Sequence, residues 1–239
     1  MVQILITCEH AVNFIPAKYR QVLSIPENIL ESHRGFDSGA FGLGKSLSGF
    51  LDCPFIAGEC SRLLVDLNRS VSNKNLFSEY SRNLTSDQKN NVLEDFYFPY
   101  RQKIEKFVSE KINKKNIVIH FSVHSFTPVL KGKTRNAEIG LLYDPARSQE
   151  VNVAGEIGNL LKKLSKYLII RKNYPYRGIS DGVVTYLRKK FNSEMYIGLE
   201  LEFNQKIFSG NATYNLIKNH LPDIICKVTS HYTGKIPGN

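Results

Sequence analysis

Residues 116–125 read NIVIHFSVHS. The run is apolar and rich in β-branched side chains, which lose rotamer freedom in a helix and pack well on a pleated surface, so it reads as a buried strand. His120 and His124 are four residues apart and share one face of that strand. Five further runs have the same character: QILITC at 3–8, CPFIAGE at 53–59, AEIGLLYD at 137–144, YLIIRKN at 167–173 and MYIGLELEFNQ at 195–205. Between them, apolar residues recur at helical spacing over 38–51, 86–115 (with an interruption expected at Pro99), 148–166, 181–191 and about 211–229. The Gly- and Pro-containing tail beyond is expected to fray. Strands alternating with helices imply an α/β fold of three layers, αβα, around a mostly parallel mixed sheet.

The chain has 239 residues, 42% hydrophobic and 23% charged, which is enough for one domain over residues 1–239 with a substantial core and far from a disordered composition. No repeat or linker divides it. No apolar run reaches the roughly 20 residues that span a bilayer, and MVQILITCEH lacks a basic start and a cleavage site, so the expected location is cytoplasmic. Cys8, Cys53, Cys60 and Cys226 form no C-x-x-C pair and read as reduced, mostly buried thiols. The net charge of +10 raises nucleic acid as an alternative partner. Its surplus, however, is spread along helix faces such as RQKIEKFVSEKINKK and LLKKLSKYLIIRK, which suits solvated surface better than one binding patch.

In parallel sheets reactive groups gather beyond the carboxyl ends of the strands. Glu9-His10, His124-Ser125 and Glu200/Glu202 would all fall along that edge. Hydrolytic zinc sites take about three protein ligands from His and carboxylates and keep one position open. His10 and His124 supply nitrogens, and Asp37, just before a helix, is placed as the third ligand. A lone His at a strand end is usually an ordinary hydrogen-bonded side chain, so the weight lies in three such sites on one edge. His120 lies deeper and reads as a packed core histidine. Glu200 and Glu202 share a face, and two buried carboxylates require a cation, a metal or water. Ser122 and Ser125 flank His124, but no G-x-S-x-G elbow is present and strand neighbours point to opposite faces, which argues against a nucleophilic triad.

The blocks TCEHAVNFIP, HRGFDSGAFGLG, SRLLVDLNRS, VHSFTPVLKGKTRNAEIGLLYD, NYPYRG and LELEFNQ, in this order between about residues 7 and 208, resemble the N-formylglutamate amidohydrolase family. The stretch 71–115 is least informative; FYFPYR at 96–101 resembles a family element in which Arg101 stands where His is common. The resemblance implies a zinc-exopeptidase-like (phosphorylase/hydrolase-like) fold, one divalent metal with zinc as first choice, and hydrolysis of N-formyl-L-glutamate, a small anionic N-acyl amino acid, to formate and glutamate. By motif it puts the ligands on His10, Asp37 and His124, with His33 in reserve, and the acidic residue of the last strand on Glu202, with Glu200 an extra carboxylate one pleat earlier. Two negative charges on the substrate call for Arg forks, and Arg62, Arg69 and Arg135 lie in matching blocks. Arg69 has an equal claim to an ion pair with Asp66. Asn68, Asn173 and Tyr176 are the expected donors to the substrate or to the developing oxyanion, although Asn173 is equally suited to capping the turn before Pro175. The rival within enzymes is another amide or peptide substrate on the same scaffold.

Overall fold

The structure, a computed structural model, describes residues 1–209 and 212–233. Asn211, where the last helix is expected to start, and the tail from 234 lie outside the described residues. In chain order the strands are β1 (Val2–Cys8), β2 (Phe55–Ala57), β3 (Ile117–Phe126), β4 (Val129–Leu130), β5 (Lys133–Thr134), β6 (Ile139–Leu142), β7 (Ile170–Lys172) and β8 (Tyr196–Asn204). Six of them form one sheet in the order β2-β1-β3-β8-β6-β7, and β4 and β5 form a small antiparallel hairpin. All neighbours in the large sheet run parallel except β6 and β8. The mostly parallel mixed sheet expected from the sequence is therefore present, with NIVIHFSVHS at its centre.

Alternation along each strand gives the sheet two unlike faces. On one, Ile6, Ile119, Phe121, Val123, Leu199, Leu201 and Leu141 are fully buried against α3 (Ala40–Leu51), α6 (Ser148–Leu164) and α8 (Ala212–Ser230). Each such side chain contributes roughly 1.5–3 kcal/mol by leaving water. On the other face Leu5, Val118 and Tyr196, near the amino ends, pack against α5 (Phe98–Asn113) and α7 (Val183–Lys190). Further along the same face the residues turn polar: Thr7 and Glu9, then His120, Ser122 and His124, then Glu200 and Glu202, all buried. Helices thus cover both faces, and the polar half of one face lies at the carboxyl ends of the central strands. Among the described residues no helix is long and apolar enough to cross a membrane.

The sequence pattern over 86–115 resolves into α4 (Ser86–Val92), a π-turn over Leu93–Tyr97 and α5. Thr85 caps α4 through a capping box with Gln88. The expected interruption at Pro99 appears as the π-turn just before it, because proline has no N–H to continue the ladder. β7 is shorter than the 167–173 run suggests. It pairs only with the four-residue β6, and Tyr167 and Ile169 are exposed. Two short helices, α1 (Ala17–Leu23) and α2 (Glu27–Leu30), fill the loop after β1. Cys8 and Cys60 are buried, Cys53 is half-buried and Cys226 is exposed, and all four are free thiols.

A buried ion pair braces the loop that follows β7. Arg188 on α7 and Glu150 on α6 meet in a bidentate pair, with Nε–Oε1 and Nη2–Oε2 both at 2.9 Å. The guanidinium also donates to the carbonyls of Gly178 and Gly198, while Glu150 accepts from the backbone N–H groups of Asp144 and Gly198. With every lone pair and proton engaged, the pair fixes α6, α7, β8 and the 173–181 loop in one arrangement, at the cost of dehydrating two charges.

Candidate functional site

His10 lies two residues beyond the end of β1, and its backbone carbonyl accepts from the N–H of Asp37, which anchors the loop leading into α3. That loop ends at Gly39, whose φ of +83° suits glycine and whose missing Cβ leaves space taken by the Phe208 ring. His124 lies on β3 opposite Glu202 of β8. The ligand atoms of His10, Asp37 and His124 all fall within 4.8 Å of one another. Asp37 Oδ2 is 3.4 Å from His10 Nδ1 and 2.9 Å from His124 Nδ1, and the N–H of Ser125 donates to the same oxygen. His33, the reserve ligand, is exposed and stands outside this cluster.

The far nitrogen of each ring has its own carboxylate. His10 Nε2 is 2.7 Å from Asp66 Oδ1, and His124 Nε2 is 3.0 Å from Glu9 Oε2 and 2.9 Å from Ser122 Oγ. Glu9 is held in turn by the Tyr100 hydroxyl, which donates to Oε1. Anchored rear nitrogens leave both Nδ1 atoms facing Asp37, the carboxylate–histidine pattern that orients imidazoles toward a metal. Two imidazole nitrogens and one carboxylate also form the donor set of a hydrolytic divalent-metal site. The residues present therefore fit such an ion.

The electrostatics agree. Burial disfavours charge on His124, yet Asp37 and Glu9 raise its pKa well above the usual value; burial and Arg62 likewise oppose protonation of His10, and Asp66 and Asp37 outweigh them. Despite burial, Asp37 is held below the usual carboxylate range by His10 and His124, and Glu9 by His124 and Ser122. A metal cation would compete with these protons for the same electron pairs. Glu202 differs. Burial pushes its carboxyl up to about 8, against the pull of His124, and its Oε2 is buried without a hydrogen-bond partner. Gly140, its register partner on β6, is pinned there because a Cβ would strike the Tyr174 carbonyl and approach the Glu202 side chain. Glu200, one pleat earlier, is 3.9 Å from His124 Nε2.

Two connected cavities open onto this centre. The inner one, about 160 Å³, contains His10, Asp37, His124, Glu200 and Glu202 and is walled by Asn68, Arg69, Arg177 and Ser180. The outer one, about 420 Å³, meets it at Asp37, Arg62, Ser125 and Tyr176. Arg62 bonds Asp66 at 3.1 Å and faces both spaces. Asn68 accepts from the N–H of Val183 at the start of α7, and its amide lies 3.4 Å from His124 Nε2. Arg69 donates to the Asp181 carbonyl, which ties the 173–181 loop to the 66–76 segment, and lies 3.8 Å from Asp66. Tyr176 is half exposed at the seam between the cavities. Arg135 lines neither cavity directly: it lies over the rings of Phe126 and Tyr176, and its Nη1 is buried with no partner. Asn173 stands apart from both cavities: at a φ of +50° it accepts from the N–H groups of Tyr143 and Gly178 and shapes the turn.

Sequence reasoning missed the roles of Glu9, Asp66 and Tyr100. Glu9 had a readable signal, since it continues the Thr7 face of β1 toward His124. Asp66 sits in a turn-rich segment without periodicity, and nothing in its spacing points to His10.

The solved structure of gene product Atu2144 from Agrobacterium tumefaciens superposes with a TM-score of 0.82 at 25% identity, covering 96% of this chain and 91% of that one. An N-formylglutamate amidohydrolase from Ralstonia eutropha JMP134 superposes with a TM-score of 0.76 at 15% identity, covering 96% and 93%, and so shares the fold. A comparison with curated proteins finds no significant match. The sequence profile of the N-formylglutamate amidohydrolase family matches residues 2–209, a span that takes in the His–Asp–His cluster, its two anchoring carboxylates and Glu202. On that match the chain belongs to the N-formylglutamate amidohydrolase family.

Proposed function

We propose that the chain hydrolyses the amide of a small anionic N-acyl amino acid, N-formyl-L-glutamate first, to the carboxylate and the free amine. The observation that carries this reading is the convergence of His10, Asp37 and His124 beside a buried, unpartnered Glu202. A divalent metal held by His10, Asp37 and His124, zinc by donor preference, would supply Lewis acidity toward the amide carbonyl and lower the pKa of water there. Glu9 and Asp66 hold the two imidazoles in register. A cation at that position would favour the ionised form of the Glu202 carboxyl against the burial that raises its pKa; as carboxylate, Glu202 takes a proton from the attacking water as the C–O bond forms and returns it to the leaving nitrogen as the C–N bond breaks. Glu200 adds negative charge beside it and shares the inner cavity. Arg135, stacked on Phe126 and on the seam residue Tyr176 with an unused N–H, is the choice for reading the substrate carboxylate, and Arg62, which lines both cavities, is the alternative.

Metal analysis together with formate release tests this reading. The purified chain should hold about one divalent ion and release formate from N-formyl-L-glutamate; His10→Ala and His124→Ala should lose both while remaining folded, and Asp37→Ala should lose most of each. Full metal occupancy in both His variants, or no formate from metal-loaded protein, would overturn it.

A further inference from the structure

The outer cavity is too large for the substrate just proposed. The inner cavity encloses the reacting groups, so an acyl carbon and the scissile bond sit there and the amine half enters the outer one. A glutamate residue displaces roughly five water volumes of about 30 Å³ each. The outer cavity, at about 420 Å³, is more than twice that. Its floor is partly apolar, with Leu63, Phe77 and Phe126. Its rim is basic and incompletely neutralised: Arg34 pairs with Glu79, but Lys74 and Arg82, both exposed, make no ion pair with a carboxylate among the described residues. An extended backbone lying on an apolar floor, with an acidic side chain at a basic rim, satisfies both features.

Building on the deformylase reading, we propose that this cavity is a subsite for a second acidic residue, so that N-formyl-glutamyl peptides continuing with glutamate or aspartate are better substrates than free N-formylglutamate. Arg62 meets the first residue at the seam, with Arg135 behind it on the Tyr176 ring, and Lys74 and Arg82 meet the carboxylates of the next.

Formate release from metal-loaded protein is compared for N-formyl-L-glutamate and N-formyl-L-glutamyl-L-glutamate, in the unmodified chain and in the double variant Lys74→Ala/Arg82→Ala. The expected result is a kcat/KM about five- to tenfold higher for the dipeptide, the scale of two partly exposed charge contacts, falling to parity in the double variant with formylglutamate turnover unchanged. Turnover of formylglutamate with no dipeptide advantage, or an advantage that survives the double substitution, overturns the subsite and leaves the deformylase reading intact. No formate from either substrate overturns that reading and the subsite with it.

Discussion

Asp66 Oδ1 lies 2.7 Å from His10 Nε2, on the side of the imidazole away from Asp37. The carboxylate is buried, held in its charged form and shared with Arg62, so it fixes the ring's tautomer and tilt before any ligand arrives. Asp66→Asn keeps the shape and removes the charge. Metal affinity, read by competition with a chelator, should fall about 10- to 100-fold, with unfolding only slightly affected. Unchanged affinity would show that Asp66 serves Arg62 alone.

Glu202 and Glu200 face the same cavity from successive pleats of β8, but only Glu202 lies opposite His124 in register and has a free buried oxygen. Glu202→Gln should retain metal and lower kcat by roughly 10²-fold or more, the usual scale for a lost general base. Glu200→Gln should cost less. The reverse order, measured by formate release at saturating substrate, would exchange their roles.

Arg135 presents an unused N–H beside two aromatic rings, an arrangement that a planar guanidinium fills and an ammonium does not. Arg135→Lys should raise KM for N-formylglutamate by roughly one to two orders of magnitude, as for a lost charged hydrogen bond of about 1.5–3 kcal/mol. An uncharged N-formyl amide should be affected little. Equal losses on both substrates would make Arg135 structural.

His120 is fully buried between the Thr7 hydroxyl at Nε2 and the Tyr196 hydroxyl at Nδ1, and burial lowers its pKa from 6.5 to about 4. Below pH 6.5 the unfolded chain binds a proton here that the folded chain refuses, so stability present above 6.5 drains away as pH falls toward 4, by about 3 kcal/mol in all. His120→Gln removes this titration. Urea unfolding at pH 7.5 and pH 5 should show the variant's stability deficit shrinking by about 2 kcal/mol at the lower pH. A constant deficit would mean that His120 is protonated in the folded protein.

The layers of the fold were readable because alternation and helical spacing are properties of neighbouring residues. His10, His124, Glu200 and Glu202 were readable too, since each stands at the end of an apolar run, where a parallel sheet collects polar groups. What the spacing hid depends on long-range closure. Glu9 meets Tyr100 from a helix 91 positions away, and Arg69 closes onto the Asp181 backbone 112 positions on, pairings that no local pattern encodes. Asn173 is an intermediate case: turn chemistry offered a capping role beside a substrate-binding one, and the structure shows the capping role, with the side chain accepting from Tyr143 and Gly178.

The sheet has one face that stays apolar until Ser125 at the end of β3 and another that turns polar halfway along, and this separates two kinds of inheritance. Residues such as Phe121 and Leu201 are constrained by volume, so drift there is limited to near-isosteric exchange. The walls of the cavities, built from loops after the strands, carry no such debt to the core, and descendants of this sequence can acquire new amide specificities by altering loop side chains while the hydrolytic centre and the scaffold beneath it are passed on unchanged.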